Sequence, residues 1–125
     1  MRKFIIFNRR IKMANLLKET LEVLDNLGIK EEEVIYVVNR EKPKDCKFMT
    51  WEMFKDIARY KTYDEGLGTV EVNTDIIIYT VDYILYRHEY DGAERWEEIP
   101  TPEHMHELLS GKSPEIFSID GHDFY

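Results

Sequence analysis

Apolar residues recur along residues 13–27 at Met13, Leu16, Leu17, Leu21, Leu24 and Leu27. This spacing follows the helical period, and Gly28 stands where a glycine closes a helix, so the pattern predicts an amphipathic helix over 13–27. Glu31, Glu32 and Glu33 lead into Val34-Ile35-Tyr36-Val37-Val38, a β-branched run of strand length ended by Asn39-Arg40. Residues 40–47 hold four Lys or Arg and Pro43, and read as a basic loop. Thr50 is placed as an N-cap with Glu52 in the first turn; Trp51, Phe54, Ile57 and Ala58 then form one stripe, which predicts a second helix reaching about Tyr60.

Tyr63-Asp64-Glu65-Gly66-Leu67-Gly68 reads as a turn-rich link into the most β-like part of the chain. Strands are expected over 76–81, 83–90 and 93–99. Asp91-Gly92 is a two-residue hairpin signal, and it sets a register in which Tyr90 faces Ala93, Glu89 faces Glu94, His88 faces Arg95, Arg87 faces Trp96 and Tyr86 faces Glu97. One face of the hairpin carries Tyr83, Leu85, Arg87, Glu89, Glu94 and Trp96; the other carries Ile84, Tyr86, His88, Tyr90, Ala93, Arg95 and Ile99. Both mix polar with apolar residues, so the pattern leaves open which one is buried. If exposed, Arg87 opposite Trp96 makes a cation–π pair worth about 0.5–1 kcal/mol. Thr101-Pro102-Glu103 opens a short helix to Leu109, closed by Gly111, and an irregular tail follows over 114–125. The expected fold is a single α+β domain over 1–125, with two or three helices packed on a mostly antiparallel sheet of three to five strands. Met13 is an alternative start, which makes residues 1–12 an upstream extension.

The chain has 125 residues with a net charge of −8. Residues 1–60 hold 13 Lys+Arg and 10 Asp+Glu; residues 61–125 hold 4 and 15, so acid is concentrated in the second half. Nucleic-acid affinity begins with Lys and Arg replacing counterions on phosphates, and direct binding to nucleic acid is therefore disfavoured. An acidic surface rich in aromatics complements a basic protein partner instead. Apolar runs such as 4–7 and 76–78 fall far short of the roughly 18 residues a bilayer demands, and no signal-peptide core follows the basic start, so no membrane association is expected. The single cysteine, Cys46, fits a reducing, cytoplasmic setting.

Candidate chemistry is sparse. Cys46, His88, His104 or His106, and His122 could converge on zinc from separate elements. His104 and His106 lie about 200° apart on a helix, however, so they would share an ion only in an extended conformation. Gly66-Leu67-Gly68 lacks the third glycine of a dinucleotide fingerprint, and the chain has no phosphate loop and no Gly-x-Ser-x-Gly elbow. No catalytic residues and no cofactor are expected. Glu89 facing Glu94 is unfavourable unless Arg87 or a basic partner balances the charge.

Trp51-Glu52-Met53-Phe54, the 63–68 link, Asn73-Thr74-Asp75-Ile76 and above all Arg87-His88-Glu89-Tyr90-Asp91-Gly92, followed by Glu94 and Trp96, resemble a family of small proteins encoded by phages and prophages of low-GC Gram-positive bacteria. The resemblance spans roughly residues 50–100. The family often carries paired tryptophans before the Leu-x-Arg and again after the turn, where this chain has Tyr83-Ile84 and Arg95-Trp96. It implies an inhibitor of host defence of the anti-CRISPR type, acting in the host cytoplasm. Tyr83, Glu89, Tyr90, Asp91, Glu94 and Trp96 are its expected contacts with a basic nuclease. The alternatives are a small zinc-binding protein or metal-dependent enzyme, and a phage regulatory or structural module.

Overall fold

The computed structural model describes residues 13–40, 46–64, 70–90, 93–101 and 111–121. In chain order these form β1 (Met13–Asn15), α1 (Leu16–Asn26), a 3-10 turn (Glu31–Glu33), β2 (Val34–Asn39), β3 (Lys47–Met49), α2 (Trp51–Ala58), β4 (Thr62–Asp64), β5 (Ile76–Thr80), β6 (Tyr83–Tyr90) and β7 (Ala93–Pro100). The architecture is α+β: the two helices pack on a five-stranded antiparallel sheet of order β3-β2-β5-β6-β7, and β1 pairs with β4 in a separate two-stranded sheet.

The first helix is shorter than the periodicity predicts. Asn15 accepts a hydrogen bond from the Lys18 amide through its side chain, at 3.0 Å, and so caps the helix there. Met13 and Ala14 are drawn into pairing with Asp64 and Tyr63. At the other end Gly28 adopts φ +73°, its N–H donates to Asp25 and the Ile29 N–H donates to Leu24, which together close the helix in the expected left-handed turn. Leu16, Thr20 and Leu24, four residues apart, form its buried stripe.

The second helix starts where Thr50 caps the Met53 amide but ends at Ala58, short of Tyr60. Trp51 and Phe54 stack at 5.7 Å beneath it, and the Trp51 indole donates to Glu31 at 3.0 Å. With Lys55 also paired to it, that indole holds the Glu31 carboxyl below its ordinary range. Lys47, expected to end the basic loop, instead opens edge strand β3, which pairs with Val37–Asn39 of β2. Tyr63 and Asp64, expected to begin the turn-rich link, lie in β4 instead, and Tyr63 is fully buried.

The hairpin register is the expected one at all five positions. Its Asp91-Gly92 connection, residues 102–109 of the expected third helix, and residues 1–12 and 122–125 lie outside the described residues. The helices cover the sheet face bearing Val37, Ile76, Ile78, Leu85 and Trp96. On the reverse face Val38, Cys46, Tyr79 and Ile84 form a second small cluster, flanked by Tyr36, Phe48 and Ile77.

Residues 111–121 contain no helix or strand beyond a single bridge between Asp120 and Val72, yet they bury Phe117 and Ile119 in the main core. Asn73 fastens this segment, its backbone N–H donating to Ile119 and its side chain to Ser118. Gly121 lies so close to residue 70 that a Cβ there would stand 2.2 Å from the Val70 carbonyl oxygen. Both groups are backbone and neither can rotate away. Gly121→Ala is therefore expected to destabilise the protein by about 1–3 kcal/mol, measured by chemical denaturation.

Candidate functional site

The β6–β7 hairpin carries the expected contact residues, and its two faces have opposite environments. Strand alternation turns Leu85, Arg87, Glu94 and Trp96 towards the helices. The reverse side presents Ile84, Tyr86, His88, Arg95 and Glu97. The question left open by the mixed pattern is thus settled by α1 and β4, which bring polar partners to the face with the charges.

Arg87 is 6% exposed and Glu94 is 4% exposed. The Arg87 guanidinium lies over the Trp96 ring at 4.7 Å and over the Tyr63 ring at 5.4 Å. It donates from Nη2 to the Tyr63 hydroxyl at 3.0 Å and from Nη1 to Glu19 at 3.4 Å. Tyr63 in turn donates its hydroxyl proton to Glu19. Glu94 stands 3.6 Å from Arg87, and its two oxygens accept the backbone N–H groups of Glu71 and Val72 at 2.7 and 3.0 Å. The Trp96 indole donates to Thr20 at 2.9 Å, and that hydroxyl donates to the Leu16 carbonyl.

This cluster also resolves the Glu89–Glu94 opposition. Glu94 is held inward by Arg87 and two amides, while Glu89 at the same register position is exposed. The Arg87–Trp96 pair, weighed above as a surface contact, is buried. Of the six expected contact residues, Glu89 and Tyr90 lie at the surface, with Tyr90 73% exposed; Tyr83 is half-buried. Glu94 and Trp96 face the core and are removed from that surface. Asp91 lies outside the described residues.

Glu19, Thr20 and Tyr63 were absent from the sequence-derived site. A signal existed for Thr20, since a polar residue midway between Leu16 and Leu24 on a buried stripe must find a partner there. Glu19 gave none, because a single acid in the first turn of a helix is commonplace.

The outer side of Glu19 contributes to a shallow groove of about 190 Å³ lined by Met13, Ala14, Asn15, Lys18 and Glu22. This is smaller than the roughly 300 Å³ at which ligand pockets begin. Burial drives the Tyr63 phenol far above its ordinary pKa, against the opposing pull of the Arg87 charge, so it keeps its proton at neutral pH. The arrangement clamps the hairpin onto α1, β4 and residues 71–72. Among the described residues no group of three His, Cys, Asp or Glu could hold a metal ion. Cys46 is buried and His88 half-buried. His104, His106 and His122 lie outside the described residues. No helix among the described residues is long and apolar enough to cross a membrane.

Two outcomes are expected. Arg87→Met leaves two carboxylates without their cation and should cost about 3–5 kcal/mol. Adding Glu94→Gln should recover part of that loss, and a double-mutant cycle by urea unfolding measures the coupling. In an alkaline spectrophotometric titration, Tyr63 should stay protonated until the protein unfolds, so Tyr63→Phe should leave the phenolate signal of the folded protein unchanged. The sign follows from a folded pKa raised above the unfolded one. The phenol's contribution to stability is complete below about pH 10 and declines as pH rises beyond it.

No family model matches the chain, and no curated protein or solved structure matches it either.

Proposed function

We propose that the protein is a stoichiometric inhibitor of the phage type that docks its hairpin on a basic surface of a host defence nuclease, such as a CRISPR effector, and so blocks nucleic-acid access or loading. The observation that carries this reading is Tyr90, an aromatic 73% exposed beside exposed Glu89, at the end of a hairpin clamped from behind by the Arg87 cluster. An aromatic anchor on a strand whose backbone is already fixed loses little backbone entropy on docking, and the charge of the acidic half steers it to a basic patch. The acidity of residues 61–125 and the resemblance of the Arg87–Gly92 stretch to small phage proteins support the same reading.

The buried positions determine which variants can test it. Glu94 and Trp96 substitutions would disturb folding, whereas Glu89→Lys with Tyr90→Ala alters the surface alone. Immobilised protein is expected to retain one basic nuclease from nuclease-treated lysate of a Gram-positive host with active CRISPR. Mass spectrometry should show recovery lowered by high salt and by the Glu89→Lys/Tyr90→Ala variant. Purified nuclease should lose target cleavage in proportion to added protein. Failure to retain a nuclease, or retention indifferent to both salt and the double variant, would overturn the reading.

A further inference from the structure

Strand β7 is the last strand of the five-stranded sheet, and no described residue pairs with its outer side. The Thr101 N–H points back towards β6, donating to the Asp82 carbonyl at 3.0 Å. By strand alternation the backbone groups of Ala93, Arg95, Glu97 and Ile99 point the same way, which leaves those of Glu94, Trp96 and Glu98 facing outward. A long edge of this kind is a template for another strand.

The side chains of that edge are self-complementary in one register. A second copy related by a two-fold axis normal to the sheet adds antiparallel and keeps the same face on the same side. Trp96 at the axis then sets Arg95 opposite the second copy's Glu97, Glu97 opposite its Arg95, and Ala93 opposite its Ile99. Shifting the axis one pleat either way sets Arg95 against Arg95 or Glu97 against Glu97. The Arg95–Glu97 positions become non-hydrogen-bonded pairs, where side chains lie closest. The outward groups of Glu94, Trp96 and Glu98 supply about six inter-copy backbone hydrogen bonds.

The groups are available for this. Arg95 is 60% exposed and Glu97 35%, and they already pair along the strand, where the guanidinium holds the Glu97 carboxyl below its ordinary range. Ile99 is an apolar side chain 43% exposed, covered by Ala93 of the second copy in this register. The unfavourable element is Glu98 opposite Glu94, and it is weakened because Arg87 and two backbone amides already engage Glu94.

We infer that β7 pairs antiparallel with β7 of a second copy about Trp96, giving a two-fold dimer with a continuous ten-stranded sheet. The inference is independent of the docking reading, since the edge is recognised by its own sequence. Sedimentation equilibrium of the full chain from low-micromolar concentration upward should show a species of twice the 15.0 kDa chain mass. Arg95→Glu and Glu97→Arg should each weaken the dimer roughly tenfold, and the Arg95→Glu/Glu97→Arg double variant should restore it, because the exchange preserves the complementarity. Circular dichroism confirms that each variant folds. Should either single variant fail to fold, Glu98→Lys supplies the test, with tighter association expected. A monomer at every concentration, a dimer indifferent to single reversals, or no tightening by Glu98→Lys overturns the inference. It is equally overturned if only a chain starting at Met13 dimerises, which would show residues 1–12 occupying the edge in the full chain.

Discussion

Among the described residues one permanent positive charge, that of Arg87, is buried in the interior, and much of the structure is arranged around it. Transferring a guanidinium from water into a core costs several kcal/mol unless carboxylates and hydrogen-bond acceptors replace the lost hydration. Arg87 receives Glu94 from the neighbouring strand, Glu19 from α1, the Tyr63 hydroxyl from β4, and the faces of two aromatic rings. These partners come from segments far apart in the chain. Accommodating the charge therefore fixes where the first helix docks, how the small β1–β4 sheet meets the large one, and which face of the hairpin is inside.

That constraint explains what could and could not be read from the residue order. Elements governed by local rules were legible: the Thr50 cap, the Gly28 terminus, the β-branched strand at Val34, and the hairpin register. Local rules failed where tertiary pairing competed with them. Met13 and Ala14 fit the helical period but are taken by β4, and Lys47-Phe48-Met49 is too short to announce a strand until β2 lies beside it. The hairpin faces were illegible for a related reason. Arg87 and Glu94 look like solvent residues by type, and only the long-range arrival of Glu19, Tyr63 and residues 71–72 makes them core residues. The candidate site was therefore half visible: its exposed members Glu89 and Tyr90 follow from the hairpin pattern, while the machinery that fixes them does not.

On the docking proposed above, the two sides of the hairpin divide the labour of folding and recognition. Inward residues spend their polarity on one another, whereas the outward side carries the exposed Arg95–Glu97 pair and, among the described residues, a strand edge with no neighbour. A partner meeting this surface encounters a backbone that is already ordered, and the conformational entropy lost on association is confined to side chains.

The way Glu94 grips the Glu71 and Val72 amides has an evolutionary consequence. A carboxylate that serves a guanidinium on one side and main-chain donors on the other cannot drift alone, since each single replacement strands a buried group. Relatives in which Arg87 is apolar are accordingly expected to have changed residues 19 and 94 as well, and to route the chain differently at 71–72. Surface residues such as Arg95 and Glu97 are expected to change in pairs, and the interior cluster to be inherited or lost as a block.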